Sequence, residues 1–282
     1  MNAIELKGLK KSFHDFTLNI PELILPAGCI LGLIGENGSG KSTTIKLILD
    51  ILHAEEGTIR LLENETEQTR LLSKQDIGVV LDDVGIPQAL KTEQVGKLMA
   101  GIYQNWDQAL YESYLRRFRL PDNKQFKTFS RGMKMKLGLA VALSHHAKLL
   151  LLDEATSGLD PVIRDEILDI FLEFTRNEDH SILISSHIVS DLEKLCDYIA
   201  FLHHGKLILF EEKDRLLEEF GLLHCTVEQL ETLPNEAIRG KKQSPYGVEV
   251  LVERAALPAT MQASTIDLEQ LFLFMVKEDM SV

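Results

Sequence analysis

The chain has 282 residues, 45% of them apolar and 26% charged, which is an ordinary composition for one large α/β domain or a main domain with a smaller one. Its 43 acidic residues outnumber the 30 basic ones, and the net charge of −13 argues against nucleic acid as the main partner because phosphate backbones are bound by basic surfaces. The N-terminus lacks the apolar core of a signal peptide, and no run approaches the ~20 apolar residues of a membrane-spanning helix, so we expect a cytosolic chain that reaches a membrane only through a partner.

The N-terminal part predicts two strands, followed by a strand, a loop and a helix. Residues 4–6 and 16–20 alternate apolar and polar side chains and are followed by Pro21 and Pro26, which indicates an antiparallel β meander with proline at strand edges and ends. From Cys29 onward, CILGLIG predicts a short buried strand, ENGSG a loop, and KSTTIKLILDIL a helix.

The remaining pattern predicts a parallel α/β sheet with two additions. Four further apolar segments predict buried strands, at residues 77–81, 149–153, 181–185 and 198–202. We predict a main domain at residues 1–221, with an α-helical subdomain inserted at about 88–146, and a small accessory α+β segment at 222–282. The accessory segment either covers a sheet edge or acts as a regulatory or dimer-stabilising domain. The three cysteines have no metal-ligand spacing and indicate small buried thiols in a reducing compartment: Cys29, Cys196 and Cys225.

Residues 35–42, GENGSGKS, fit the phosphate-loop pattern G-x-x-x-x-G-K-[ST] between a predicted strand and a predicted helix. In such a loop, backbone N–H groups and the helix N-terminus face phosphate oxygens, Lys41 reaches the β- and γ-phosphates, and the Ser42 hydroxyl binds Mg²⁺. A merely flexible glycine-rich turn would not require the Lys-Ser ending in this context. We therefore predict ATP and Mg²⁺ as ligands.

The stretch LLLLDEATSGLD runs from a fully apolar segment into two adjacent acids. Successive side chains of a strand point to opposite faces, so we expect Asp153 and Glu154 to have separate roles rather than to form one paired-carboxylate site. Asp153 is predicted to hold Mg²⁺ at a strand end near the phosphate loop. Glu154 is predicted to orient or deprotonate an attacking water. The leucines alone indicate only a core strand.

The segment between these two motifs points to one family. Residues 129–133 read FSRGM, are followed by KMKLGLAVAL and, after SHHAK, by LLLLDEATSGLDP, and resemble the LSGGQ signature of ATP-binding-cassette (ABC) ATPases. His187, in ILISSHIVSDLEKL, resembles the switch histidine of that family. The resemblance covers residues 1–220 and implies a two-lobed ATPase with a P-loop-NTPase-type sheet that works as a head-to-tail pair.

The resemblance also implies a role for each matching residue. In the first subunit, it implies that ATP contacts Phe13, Gly35, Asn37, Gly38, Ser39, Gly40, Lys41, Ser42 and Thr43. In the partner subunit, the residues implied to close over that ATP are Ser130, Arg131 and Gly132. Asp160 would link the two active sites, and His187 would contact the γ-phosphate. For Phe13, which matches the aromatic residue that stacks on adenine, a core position at a strand end is the alternative, because Phe16 is close by.

Three positions in two segments depart from the family pattern. Where the family has glutamine after the strand at 77–81, this chain has Asp82, which can bind Mg²⁺ but cannot donate a hydrogen bond as an amide does. Arg131 and Met133 replace glycine and glutamine of the signature, which brings a cation towards the phosphates. This variant, together with the short tail, resembles bacterial drug, peptide or antibiotic exporters more than nutrient importers.

The leading hypothesis is an ATPase subunit, peripheral to the cytoplasmic face of a membrane, that powers export through a separate permease. It would act as a homodimer or as a heterodimer with a paralogous ATPase, with Lys41, Glu154 and His187 as catalytic residues. One alternative is a soluble scaffold resembling iron–sulfur assembly ATPases, which would co-purify only with soluble partners. An ATPase acting on nucleic acid or ribosomes is disfavoured by the net charge, and a non-hydrolysing sensor by the complete set of motif residues.

Overall fold

The computed structural model describes residues 1–62, 74–81, 85–244, 247–258 and 261–279. The predicted metal ligand Asp82 lies outside these described residues. The strands are β1 Asn2–Ser12, β2 Thr17–Pro26, β3 Ile30–Ile34, β4 Glu56–Leu61, β5 Ile77–Val80, β6 Leu149–Asp153, β7 Ser181–Ser186, β8 Tyr198–His203, β9 Lys206–Glu212, β10 Phe220–Cys225, β11 Ile238–Ser244 and β12 Gly247–Glu253. The helices are α1 Lys41–Ile48, α2 Thr92–Ala100, α3 Gln108–Arg117, α4 Arg131–Leu143, α5 Pro161–Phe174, α6 Val189–Leu195, α7 Lys213–Glu219, α8 Val227–Glu231 and α9 Leu268–Asp279.

The main sheet has the strand order β4-β1-β2-β9-β8-β3-β7-β6-β5. Strands β8, β3, β7, β6 and β5 run parallel to their neighbours in that part of the sheet, whereas β1 pairs antiparallel with both β2 and β4. The predicted mixed sheet, mostly parallel with an antiparallel N-terminal part, is thereby confirmed. In this order the ends of β3, β6 and β7 meet at one edge, which is where loops from parallel strands form ligand sites.

The prediction that proline stands only at strand edges and ends is wrong for Pro21, which lies inside β2. The structure tolerates it because β2 pairs with β9 only at Asn19 and Lys206, before Pro21 is reached. On the other side, Gly8 stands opposite Pro21 with a positive φ of 58°. Since proline cannot donate to a ladder, it fits at a point where both ladders are interrupted.

The central strands β3, β6 and β7 are buried along their whole length because both faces of the sheet are covered. One face packs against the helices between β5 and β7 through alternate residues, among them Ile30, Leu150, Leu152, Ile182 and Ile184. The other face packs against α1 and the N-terminal strands through the intervening residues, among them Leu31, Leu33, Leu149, Leu151 and Leu183. The strand ends are therefore fixed between two apolar layers.

The C-terminal residues form an antiparallel sheet of order β10-β12-β11, with α9 packed on β11 and on α6. The ring of Phe272 meets that of Phe201 from β8 edge-on at 5.2 Å, and Phe274 lies against Gly240 of β11. Helix α9 thus joins the small sheet to the apolar face of the large one. Among the described residues, no helix combines the length and the apolar character needed to cross a bilayer.

Candidate active site

The phosphate loop lies between the end of β3 and the start of α1. Gly40, the last residue before α1, has a φ of 114°, and a Cβ atom there would lie 2.7 Å from the side chain of Leu18. Only glycine fits this backbone without strain. Because Gly40 has no side chain to cap the helix, the first N–H groups of α1 face the cleft and are available to an anion.

Lys41 places a positive charge inside this loop. Its side chain is 5% exposed, and its Nζ donates hydrogen bonds to the carbonyl oxygens of Gly35, at 2.7 Å, and Glu36, at 3.2 Å. The same nitrogen lies 3.6 Å from Oε1 of Glu154. The ammonium group therefore sits between the loop backbone and the acid that follows β6, where it can attract phosphate oxygens.

The two adjacent acids at the end of β6 enter the same cleft, so the prediction that they point to opposite faces is wrong. Glu154 has a φ of 53°, which takes it out of the strand conformation that Asp153 still has. Strand alternation consequently stops at Asp153. Glu154 is held there by its own N–H, which lies 3.1 Å from the carbonyl oxygen of Ser185.

Asp153 and Glu154 have different hydrogen-bond partners, which supports the prediction of separate roles. Oδ1 of Asp153 accepts a hydrogen bond of 2.5 Å from the Ser185 hydroxyl on the neighbouring strand β7. Oε2 of Glu154 lies 2.7 Å from Nδ1 of His187, which follows β7 and has a half-exposed side chain. Glu154 thus bridges Lys41 and His187, while Asp153 is oriented by Ser185.

A cleft of about 550 Å³ opens between the loop, the acids and two aromatic rings. Its lining consists of Phe13, Phe16, Asn37, Gly38, Gly40, Lys41, Ser42, Thr43, Asp153 and Glu154. The Phe13 ring is 44% exposed and lies 6.1 Å, between centroids, from the partly buried ring of Phe16. A 44% exposed ring at a cleft mouth is a surface available to a planar base rather than a core position.

The signature residues lie in a second group outside this lining. Ser130 caps α4, its hydroxyl accepting from the N–H of Met133 at 3.3 Å, and Asp160 caps α5, its Oδ1 accepting from the N–H of Ile163 at 3.1 Å. Gly132 is buried against Ile163. The guanidinium of Arg131 lies against Gly158, where a Cβ atom would come within 3.1 Å of it. A single chain therefore brings these residues together with each other but not with its own phosphate loop.

Ser39 and Gly35 pack closely against each other within the phosphate loop. The hydroxyl of Ser39 is buried and has no hydrogen-bond partner in the described part of the chain. It packs against Gly35, where a Cβ atom would meet it at 2.3 Å.

Sequence reasoning missed Ser185, although its position at the end of a strand beside the acidic one was the available signal.

The donor set of the cleft fits Mg²⁺. Ser42 and Asp153 line the same cavity and offer a hydroxyl and a carboxylate oxygen, the hard oxygen ligands that Mg²⁺ prefers. No group of three or more histidine, cysteine or acidic side chains arranged as a metal cage occurs in the described residues.

The fold and the cleft define a P-loop ATPase with an inserted helical segment and a separate signature helix. Residues 18–157 match the family model described as ABC transporter. The lantibiotic transport ATP-binding protein SrtF of Streptococcus pyogenes is 36% identical over 75% of this chain and 91% of its own length. YhcH of Bacillus subtilis, called an uncharacterized ABC transporter ATP-binding protein, is 29% identical over 98% of this chain and 91% of its own. A solved structure of the ATP-binding subunit of an ABC transporter matches with a TM-score of 0.67 and 28% identity, covering 76% of this chain and 91% of that one.

The chain belongs to the ABC transporter family and is an ATP-binding subunit with the ATPase fold of that family. The family expected from the motifs is confirmed. ATPases of this family act as dimers with transmembrane permease subunits and associate with the membrane through them.

Proposed function

We propose that the chain uses Mg²⁺ and ATP to power export of an antibiotic, peptide or drug through a separate permease. The observation that carries the hydrolytic part is the series of contacts from Lys41 to Glu154, which both line the cleft, and from Glu154 to His187. The relative SrtF is a lantibiotic transport ATP-binding protein, which supports an antibiotic or a peptide as the exported substrate. The chain would sit at the cytoplasmic face of the membrane, paired with a second copy of itself or with a paralogue.

Binding of ATP is assigned to the loop, the first turn of α1 and the Phe13 ring. The phosphates would lie against the N–H groups of residues 35–43 and the Lys41 ammonium, and Phe13 would stack on adenine. Ser42 and Asp153 would hold Mg²⁺, which when bound neutralises charge on the β- and γ-phosphates. Asp82 is proposed as a further oxygen ligand, although it lies outside the described residues.

Hydrolysis is assigned to Glu154 and His187. Glu154 is placed to orient a water or accept its proton, and its contact with His187 holds the imidazole beside an acid of the cleft, from where it would reach the γ-phosphate. Lys41 stabilises the charge that develops on the transferred group.

The partner subunit is proposed to complete the site. Ser130 caps the N-terminus of α4, and a helix N-terminus preceded by a serine hydroxyl is an anion site. Ser130, Arg131 and Gly132 do not line the cleft of their own chain, and they are proposed to contact the ATP of a second subunit. Asp160, at the start of α5, would lie at that interface. We assign these functions to residues 1–221 and an accessory role to 222–282.

Glu154→Gln tests the catalytic assignment. The amide keeps the shape and can still bond to His187, but it cannot accept the proton of water, so we expect ATP turnover to fall by about 10²–10⁴-fold. ATP affinity and ATP-driven dimerisation should persist. Phosphate release, titration with a fluorescent nucleotide and light scattering after size exclusion measure the three properties. Turnover near the parental rate would show that Glu154 is not the base.

Co-purification tests the permease. A tagged chain extracted with detergent from its own membranes should bring down a multi-span protein, and ATP turnover of that complex should respond to lantibiotic-type peptides. Recovery of soluble partners alone would contradict the transport proposal while leaving the ATPase assignment intact.

A further inference from the structure

An ion pair between a partly exposed arginine and a buried aspartate joins the helix that begins after Asp160 to the helix that follows His187. Nε of Arg164, on α5, lies 2.7 Å from Oδ1 and 2.7 Å from Oδ2 of Asp191, on α6. Nη2 of Arg164 contacts the same carboxylate and donates to the hydroxyl of Ser190 at 3.3 Å. Asp191 is 1% exposed. A guanidinium that engages both oxygens of a buried carboxylate fixes orientation as well as distance.

Each partner lies one helical turn from a residue of the proposed site. The N–H of Arg164 donates to the carbonyl oxygen of Asp160 at 2.9 Å, and the N–H of Asp191 lies 3.2 Å from the carbonyl oxygen of Ile188, next to His187. His187 in turn contacts Glu154. The ion pair is therefore the middle of a continuous series of contacts from the interface residue Asp160 to the hydrolytic acid Glu154.

We infer that Arg164 and Asp191 are positioning residues for ATP hydrolysis, which make the placement of His187 depend on the loop that ends at Asp160. The inference rests on the proposed function, in which Asp160 faces the neighbouring subunit and His187 meets the γ-phosphate. Movement of the loop on closure of the dimer is passed through α5 to α6 as a rigid shift, because the bidentate pair resists rotation between the helices. A pair kept only for stability would be replaceable, since well-packed apolar residues stabilise as well as a buried ion pair does.

Three variants test this, namely Arg164→Gln, Asp191→Asn and the two combined. We expect each to lower kcat by about tenfold or more, with KM for ATP within about twofold of the parent, since misplacement of a reacting group is costly while ATP binding uses other residues. The double variant should lose no more than either single one, because all three break the same connection. Its melting temperature should recover towards that of the parent, because neither charge is left buried without a partner. If the pair only stabilised the fold, kcat would recover together with the melting temperature. Recovery of the melting temperature without recovery of kcat therefore indicates a positioning role.

The matched control is the ion pair at the other end of α5, where Nη2 of Arg117 donates to Oε2 of Glu173 at 2.8 Å. Arg117→Gln combined with Glu173→Gln should leave kcat within about twofold of the parent, since both side chains are exposed and contact no site residue. Parental kcat in the double variant of Arg164 and Asp191 would overturn the inference. So would an equal loss of kcat in the control pair.

Glu154→Gln is assayed beside the variants of Arg164 and Asp191, under the same conditions. If Glu154→Gln abolishes turnover and the double variant of Arg164 and Asp191 retains it, only the positioning inference fails. If turnover survives Glu154→Gln, the proposed catalytic role of Glu154 fails and the inference fails with it.

Discussion

At the scale of single residues, the backbone conformation of Glu154 brings its side chain into the same cleft as Asp153. Its left-handed conformation turns the residue after β6 back over Lys41, so that two acids adjacent in sequence reach one cavity with different partners. The sequence predicts two roles for the acids, but the alternation rule on which that prediction was based does not apply beyond the last residue of the strand. A positive φ at a glutamate has no local sequence signal, because glutamate rarely adopts it.

Ser185 is expected to strengthen Mg²⁺ binding at the proposed site by orienting Asp153. Ser185→Ala removes the hydroxyl that bonds to Oδ1 of Asp153, so the carboxylate is no longer held in one orientation. We expect the Mg²⁺ concentration for half-maximal hydrolysis to rise about tenfold, the usual effect of losing a partner of a metal ligand. A Mg²⁺ titration of phosphate release at fixed ATP measures this.

Ser181→Ala is the control for that variant, since Ser181 is also buried on β7 and its hydroxyl accepts from the N–H of Gly28 at 3.0 Å, at the far end of the strand. Both variants should lose about 1–3 kcal/mol of unfolding free energy through a buried group left unpaired. Only Ser185→Ala should change the Mg²⁺ requirement. An equal shift in both variants would assign the effect to general loosening of β7.

At the scale of elements, α9 is what attaches the C-terminal sheet to the main one. The segment DLEQLFLFMV is predictable as a helix and the flanking segments as short strands, and these elements are present. Its packing was not predictable, because an apolar helix face does not specify which of several apolar surfaces it will cover. At the start of α9, the N–H of Leu268 donates to the carboxylate of Glu193 on α6 at 2.9 Å, which fixes this end of the helix against α6. The two alternatives for the tail, an edge cover and a regulatory or dimer-stabilising domain, both stay predictions.

Phe272→Ala should destabilise the chain strongly. Phe272 is 8% exposed and packs edge-on against Phe201 of β8, so truncation leaves a cavity between α9 and the main sheet. We expect a loss of about 3–5 kcal/mol of unfolding free energy in urea titrations followed by circular dichroism. Leu273→Ala, at the neighbouring residue that is 50% exposed, should change it by less than about 1 kcal/mol. Similar losses in both variants would mean that α9 is not docked through the Phe272 face.

At the scale of the whole molecule, the sequence predicts the layers but not the closed site. The buried strands follow from apolar runs, and the strand order confirms the predicted mixed sheet. The signature residues cannot be joined to the cleft by any rule of local structure, since within one chain Arg131 lies against Gly158 and away from Lys41. We propose that a second subunit supplies the missing part of the site, and the sequence of a single chain does not specify how two subunits associate.

Global stability is also expected to depend on one buried imidazole at the junction of the helical segment and the sheet. His145 stacks on Tyr103 with centroids 3.9 Å apart, and its Nδ1 lies 3.0 Å from the carbonyl oxygen of Gln75. Burial lowers the pKa of His145, and the hydrogen bond to the carbonyl of Gln75 opposes that effect only in part. The folded state therefore holds the imidazole neutral at pH values where the unfolded chain already binds a proton.

The sign of the pH dependence follows from that difference. Between the unfolded pKa of about 6.5 and the lower folded value, the unfolded state binds more protons, so stability is fully present above about pH 6.5 and is lost as the pH falls. His145→Gln should be less stable than the parent at pH 7.5 but should lose less unfolding free energy on going to pH 5.5, by at most about 1.4 kcal/mol per pH unit. His224→Gln, at an exposed histidine of β10, should keep the parental slope. Urea titrations at both pH values decide the matter, because identical slopes for the parent and His145→Gln would show that His145 does not set the acid limit of the fold.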